Sequence, residues 1–130
     1  MSNQPVARKL LTLLSEGGDR TRLSEVYHPR IVQTEYPNRL LPDGAVRHAE
    51  QLLAASQQGT KAVREEKYEV RSVIEQGDHL AMEIGWTAIL NVPLGATPAG
   101  ATMRADFAIF LTFEDGRIVR QQNYDCFHSL

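Results

Sequence analysis

The sequence predicts one α+β domain, residues 1–130, in which three helices of the N-terminal half pack on a strongly curved, mostly antiparallel sheet. Two observations predict this cone-shaped fold. Up to Gly59 the apolar residues recur mainly at helical spacing, and beyond it they recur at every second position. Helices therefore precede consecutive strands, which is the order of an α+β domain and not of alternating βαβ units. A chain of 130 residues is long enough to bury one core.

Three segments are predicted to be helical. The first, "PVARKLLTLLSEGGD", begins at Pro5, which suits a first helical turn, and ends at a Gly-Gly pair. The second, "RTRLSEVYH", can be capped by Asp19. The third runs from about Ala45 to Gln58 and ends at Gly59. Between the last two helices, "RIVQTEY" alternates and contains β-branched residues, so it predicts a strand.

The second half of the chain predicts two hairpins. "KYEVRSVIEQ" turns at Gly77-Asp78 into "HLAMEIGWTAILNV", whose strict alternation indicates a half-buried antiparallel strand. "MRADFAIFLTF" and "RIVRQQNYDCF" are separated by Asp115-Gly116, a pair typical of a hairpin turn. These strands are long, and the helices precede them, so we expect the sheet to curve around the helices and leave a pocket at its open end.

Composition excludes several classes of function. The 14 basic and 16 acidic residues give a net charge of −2 without long blocks of one sign, which disfavours nucleic-acid and membrane-surface partners. The apolar runs are shorter than a membrane span. The histidines show neither His-x-His nor His-x-x-x-His spacing and there is no glycine-rich phosphate loop, so we predict neither a metal nor a cofactor. A single cysteine, Cys126, fits a reducing compartment, and we predict a cytoplasmic protein.

Polar residues at alternate positions of the last strand mark the candidate site. Gln121, Asn123 and Asp125 share one face of "RIVRQQNYDCF". If that face is concave, the three side chains point into the pocket. The alternative is a solvent-facing edge.

The order of these elements resembles the nuclear transport factor 2-like superfamily, in its SnoaL-like branch. The resemblance rests on "YHPRIVQTEYP" after two helices and on the ending "FEDGRIVRQQNYD", and it covers nearly the whole chain. It implies a conical α+β fold, frequent dimers through the outer sheet face, and diverse functions.

Two more distant relatives imply chemistry that can be tested against this sequence. Limonene epoxide hydrolases hold a water with a Tyr-x-Asn pair, which Tyr36 and Asn38 match. Their Arg-x-Asp element falls on Ile84 and Trp86, and their last-strand acid falls on Asn123, an amide that cannot accept a proton. Ketosteroid isomerases place their Asp base where this chain has Tyr36, and a phenol is a poor base at neutral pH. Neither reaction is predicted.

The sequence therefore predicts a small-molecule pocket protein of SnoaL-like type. It would be a cofactor-independent isomerase, cyclase or hydrolase acting on an apolar or cyclic compound, with Asp125 as the catalytic acid or base. Two groups of substrate-binding residues are predicted. Tyr36, Asn38 and Asn123 would position the substrate by hydrogen bonds, and Trp86 and Phe127 would form apolar walls. The alternative is a non-catalytic dimeric module that binds a ligand in the same pocket or a protein on its outer sheet.

The outer face of the sheet predicts a homodimer. Small and apolar residues occupy that face of the long strand and its neighbour: Ala81, Gly85, Thr87, Ile89, Ala108 and Phe110. A face of this kind invites a second sheet to pack on it.

Overall fold

The strands of the protein form one curved six-stranded sheet in the order β2-β1-β6-β5-β4-β3. The computed structural model describes residues 2–129. Along that stretch the elements are α1 (Gln4–Ser15), α2 (Arg20–Val26), β1 (Tyr27–Glu35), β2 (Ala45–His48), α3 (Ala49–Ala62), β3 (Val63–Gln76), β4 (His79–Leu90), β5 (Thr102–Glu114) and β6 (Arg117–Phe127). All neighbouring strands pair antiparallel except β1 and β6, which are parallel. The predicted α+β class and mostly antiparallel sheet are confirmed.

The predicted third helix begins four residues too early. Residues 45–48 form β2, which pairs with β1, and α3 begins at Ala49. Gly44, at a φ of +65°, turns the chain back beside β1, and a Cβ there would lie 2.6 Å from the backbone oxygen of Glu35. The pairing of β2 with β1 thus outweighs the local helical spacing. The helix also continues past Gly59 to Ala62.

The second helix is shorter than its sequence pattern predicts. It ends at Val26, and Tyr27 and His28 already belong to β1. Its predicted start is confirmed, because Oδ1 of Asp19 accepts a hydrogen bond of 2.9 Å from the backbone N–H of Arg22. The Asp115-Gly116 turn between β5 and β6 has positive φ at both residues, as a two-residue hairpin turn requires.

The core lies between the helices and the concave face of the sheet. Its largest fully buried side chains come from every layer: Leu10, Leu13, Leu23, Val26, Ile31, Ile84, Leu111 and Ile118. Each of these strand residues faces inward, so the alternation of the strands fixes which face the helices cover. Within residues 2–129, no helix is both long enough and apolar enough to cross a bilayer.

Irregular pairing of β3 bends the edge of the sheet. One extra residue of β3 lies opposite β4 between Arg64 and Lys67, and another between Val70 and Ser72. Such β-bulges increase the local twist and bend of a strand. Residues of this edge strand and of α3 line the cavity described next.

Candidate functional site

A cavity of about 320 Å³ lies between the concave face of the sheet and α3. This is the size of a site for a small organic molecule. One wall is apolar and aromatic, with Leu14, Leu52, Ala55, Val63, Trp86, Phe107 and Ile109 among its residues. The other wall is polar, with Tyr27, Gln33, Glu35, Arg47, Gln121, Asn123 and Asp125.

The polar stripe of β6 faces this cavity. Gln121 and Asn123 are only 4% and 9% exposed, and both line the cavity together with Asp125. In the sheet, Gln121 lies beside Gln33 and Asn123 beside Glu35, so the stripe continues onto β1. Alternation in a regular strand brings these side chains to one face, as the sequence indicates.

Hydrogen bonds fix the amides of the polar wall. Tyr27 donates its hydroxyl to Oε1 of Gln121 over 3.0 Å. The Nε2 groups of Gln121 and Gln33 both donate to Oδ1 of Asn123, each over 2.9 Å. This oxygen is thereby fully used, and the amide N–H₂ group of Asn123 has no acceptor among residues 2–129. It remains available to a ligand.

An ion pair holds the rim of the cavity. One nitrogen of Arg47 donates to Oε1 of Glu35 and to Oε1 of Gln33, each at 2.9 Å. Both charged side chains are about one-fifth exposed. Asn38 donates to the second oxygen of Glu35 at 2.9 Å. Both oxygens of the Glu35 carboxylate therefore accept hydrogen bonds, and this carboxylate neutralises the charge of Arg47.

Asp125 differs from Glu35 in having an unpaired buried oxygen. Its Oδ1 is buried, and no donor within the described residues reaches it. Burial raises the pKa of Asp125 from 3.8 to about 7, with a further rise from the negative charge of Glu35 and a smaller opposing effect of Arg47. A carboxyl group with this pKa can both accept and release a proton near neutral pH.

A second carboxyl group, that of Glu66, lies on the aromatic side of the cavity. The indole N–H of Trp86 and the hydroxyl of Tyr68 both donate to its Oε1 at 3.2 Å. Burial raises the pKa of Glu66, and these two hydrogen bonds oppose the rise. The ring of Trp86 lies 5.4 Å from that of Phe107, centre to centre, so the two rings form a continuous aromatic surface.

A larger groove, about 490 Å³, lies on the outside of the protein between α1 and β3. It shares Glu66 and Tyr68 with the cavity, but exposed residues such as Arg8, Thr12 and Lys67 make up much of its lining. The cavity contains the buried polar network and the unpaired carboxyl oxygen, so we regard it as the candidate site.

Three of the predicted site residues, Trp86, Asn123 and Asp125, line the cavity. Phe127 does not line it. Its ring packs edge-on against Trp86 and Phe107, with centres 5.9 Å from each, and supports the aromatic surface from behind. Asn38 lies in the loop after β1, where its Oδ1 accepts the N–H groups of residues 40 and 41. It reaches the site only through its bond to Glu35.

The inward orientation expected for Tyr36 is wrong. Its ring stacks on Tyr124 at 4.3 Å on the outer face of the sheet, and its hydroxyl accepts a hydrogen bond from Gln122. Ile31 and Gln33 face inward, so alternation turns Glu35 inward and Tyr36 outward.

Sequence reasoning missed three charged residues of the site and the glutamine that Arg47 binds: Gln33, Glu35, Arg47 and Glu66 are absent from the predicted set, as are the tyrosines Tyr27 and Tyr68. The alternation of "RIVQTEY" is a signal that identifies Gln33 and Glu35. Arg47 was not identified because the apolar residues of its segment have helical spacing, which placed it in the predicted third helix. The pairing irregularity that turns Glu66 inward has no local signal in the sequence.

A cone of three helices on a curved six-stranded sheet, with a polar-lined cavity at its open end, defines a protein of the nuclear transport factor 2-like fold. The family model of the SnoaL-like domain matches residues 7–121, and the chain belongs to that family.

Solved structures share this fold at low sequence identity. IdmH from Streptomyces antibioticus, described provisionally as a polyketide cyclase, is 20% identical with a TM-score of 0.81, covering 96% of this chain and 92% of IdmH. AclR from Streptomyces galilaeus, described provisionally as a hydroxylase, is 19% identical with a TM-score of 0.77, covering 95% and 77%. A protein of unknown function from Burkholderia pseudomallei is 17% identical with a TM-score of 0.76, covering 95% and 91%. No curated protein sequence matches this chain.

Proposed function

We propose that this protein is a cofactor-independent enzyme that moves a proton on a small, largely apolar ring compound bound in the cavity. Asp125 is the acid or base. The observation that carries the proposal is the buried Oδ1 of Asp125, which no donor of the described chain satisfies. A buried polar atom without a partner is costly, and functional sites are where such atoms are retained.

The surroundings of Asp125 support this role. The aromatic surface of Trp86 and Phe107 offers a flat wall for a ring. The free amide N–H₂ of Asn123 can donate to a carbonyl or hydroxyl oxygen of the same ligand, because its own oxygen is already occupied. A ring held between these groups presents its edge to Asp125, which is the arrangement that proton transfer requires.

A proton-abstraction probe can test this role before the natural substrate is known. A nitrobenzisoxazole is a flat bicyclic compound that opens to a coloured cyanophenolate when a base removes the C–H proton of its isoxazole ring, the C≡N bond forms and the N–O bond breaks. We expect the wild-type protein to catalyse this elimination, with the rate rising with pH around a midpoint near 7 as Asp125 ionises. Asp125→Asn should reduce the rate by roughly 100-fold or more.

A matched variant on the outer face of the sheet separates this role of Asp125 from the effect of removing any one carboxylate. Asp106 pairs with Arg71 and His128 on the outer face of the sheet and does not line the cavity, so Asp106→Asn should leave the elimination rate unchanged. Equal rates for wild type and Asp125→Asn would refute the proposal. A wild-type protein that binds the probe without opening it would favour the alternative, a non-catalytic ligand-binding module.

We also propose that the protein is a cytoplasmic homodimer that associates through the outer face of its sheet. Exposed apolar side chains support this interface: Ile74 and Phe110 are 70% and 46% exposed, and Tyr124, stacked on Tyr36, is 42% exposed. Ile74 and Phe110 flank Ala81 across three neighbouring strands, so together they form a continuous apolar band. Such a band is suited to an isologous contact with a second copy.

A further inference from the structure

Glu66 faces the cavity because β3 is irregular at this point. Glu65 has a φ of +53°, a left-handed conformation that few residues other than glycine adopt. Glu65 and Glu66 both lie within the stretch where β3 carries one extra residue opposite β4. An inserted residue shifts the alternation by one, and bulges next to binding sites re-aim a side chain in this way. Glu66 thereby joins Tyr68 on the inward face.

One oxygen of Glu66 is held by the protein and the other is not. Oε1 accepts both the indole N–H of Trp86 and the hydroxyl of Tyr68. Oε2 accepts no hydrogen bond from residues 2–129, and it is not a fully buried atom. The two donors fix the direction of the carboxylate, and the free oxygen is the one a ligand can reach.

The charges of the cavity wall do not balance. Its four charged side chains are Glu35, Arg47, Glu66 and Asp125. Arg47 is bound to Glu35 at 2.9 Å, so the other two carboxyl groups have no cationic partner in the cavity wall. When both are ionised, an anionic ligand would add a third uncompensated negative charge, whereas a cationic ligand would compensate one.

We infer that Glu66 is a specificity residue that binds a protonated amine of the substrate, next to the aromatic surface of Trp86 and Phe107. A protonated amine offers N–H donors to the free Oε2, and charge-assisted bonds of this kind are about twice as strong as neutral ones. The surrounding aromatic rings also favour a cation over an anion. The inference rests on the proposed function in one respect, that the same cavity holds the substrate.

Three benzyl compounds of similar size test this inference: benzylamine, benzyl alcohol and phenylacetate. Binding can be followed by the fluorescence of Trp86, the single tryptophan of the chain, at about pH 8, where the amine is protonated and a carboxyl group is ionised. We expect benzylamine to bind about tenfold more tightly than benzyl alcohol, and phenylacetate to bind more weakly than either.

Two variants locate the preference. Glu66→Gln keeps the shape of the side chain and should bring benzylamine to within about threefold of benzyl alcohol. Glu69→Gln removes the same charge from an exposed position of β3 and should keep the tenfold preference. Circular dichroism of both variants checks that they fold.

Several results would overturn the inference. These are equal binding of amine and alcohol by the wild type, no binding of the amine at millimolar concentration, or an unchanged preference in Glu66→Gln. The first two results are measured on the wild-type protein, so they test the inference even if Glu66→Gln does not fold. Failure here leaves the elimination assay intact, because that assay uses a neutral probe and depends on Asp125.

Discussion

Replacing Asp125 with Asn should change the stability of the protein in a pH-dependent way, with the variant gaining stability relative to the wild type as pH rises. Above pH 7 the native state must hold an ionised carboxylate where burial opposes it, whereas the unfolded chain holds the same group in water. The folded pKa is raised, so the stability that Asp125 contributes is fully present below about pH 3.8 and is lost as pH rises to about 7. Asparagine carries no charge and loses nothing over that range.

The size of the gain follows from the shift in pKa. A rise from 3.8 to about 7 corresponds to about 4 kcal/mol between the two protonation states. Water at the partly open rim of the cavity screens part of this, so we expect Asp125→Asn to gain roughly 2–4 kcal/mol at pH 8 relative to its effect at pH 4. Any fixed cost of burying an amide without a partner is the same at both values and cancels.

Urea unfolding followed by Trp86 fluorescence measures this difference. Wild type and Asp125→Asn are compared at about pH 4 and about pH 8, which flank most of the titration. Asp106→Asn is the control, because hydrogen bonds from His128 and Arg71 lower the pKa of Asp106, so that the stability contributed by this carboxylate is lost only at pH values below its unfolded pKa of about 3.8. The effect of that variant on the free energy of unfolding should therefore be nearly the same at about pH 4 and about pH 8. A difference between wild type and Asp125→Asn that is the same at both pH values would refute the claim that Asp125 is desolvated.

Three further substitutions test other parts of the structure. Arg47→Met removes the positive charge that opposes the rise in the pKa of Asp125, so the midpoint of the pH–rate profile should move to higher pH. The same change leaves Glu35 without its cationic partner and should destabilise the protein by about 1–3 kcal/mol in urea unfolding. An unchanged midpoint would contradict the charge coupling. Gly44→Ala places a Cβ 2.6 Å from the backbone oxygen of Glu35 at a positive φ, and should lower the free energy of unfolding by about 2 kcal/mol or more, whereas Gly116→Ala, in an open turn, should cost less. Phe110→Glu puts a charge in the outer apolar band and should convert a dimer to a monomer in light scattering; a wild-type monomer at micromolar concentration would remove the proposed interface.

The regular parts of the chain were readable from local pattern. Alternation in β4, β5 and β6 fixed which residues face the helices, because successive side chains of a strand point to opposite faces. The same rule places Asn123 and Asp125 inward, since β6 continues without interruption from Arg120 to its end. It also predicts Glu35 inward and Tyr36 outward once "RIVQTEY" is followed residue by residue.

Other features depend on residues far apart in sequence, and only the tertiary structure decided them. β2 exists because Gly44 returns the chain to β1, although its residues also fit a helical pattern. Glu66 faces the cavity because one residue of β3 near it has no partner on β4. The sequence of either strand alone does not show how the two strands pair. The raised pKa of Asp125 arises from burial and from the charge of Glu35 on another strand. In a regular strand the local sequence predicts the face of a side chain, whereas a bulge, the solvation and the charge environment depend on which other elements pack beside the strand.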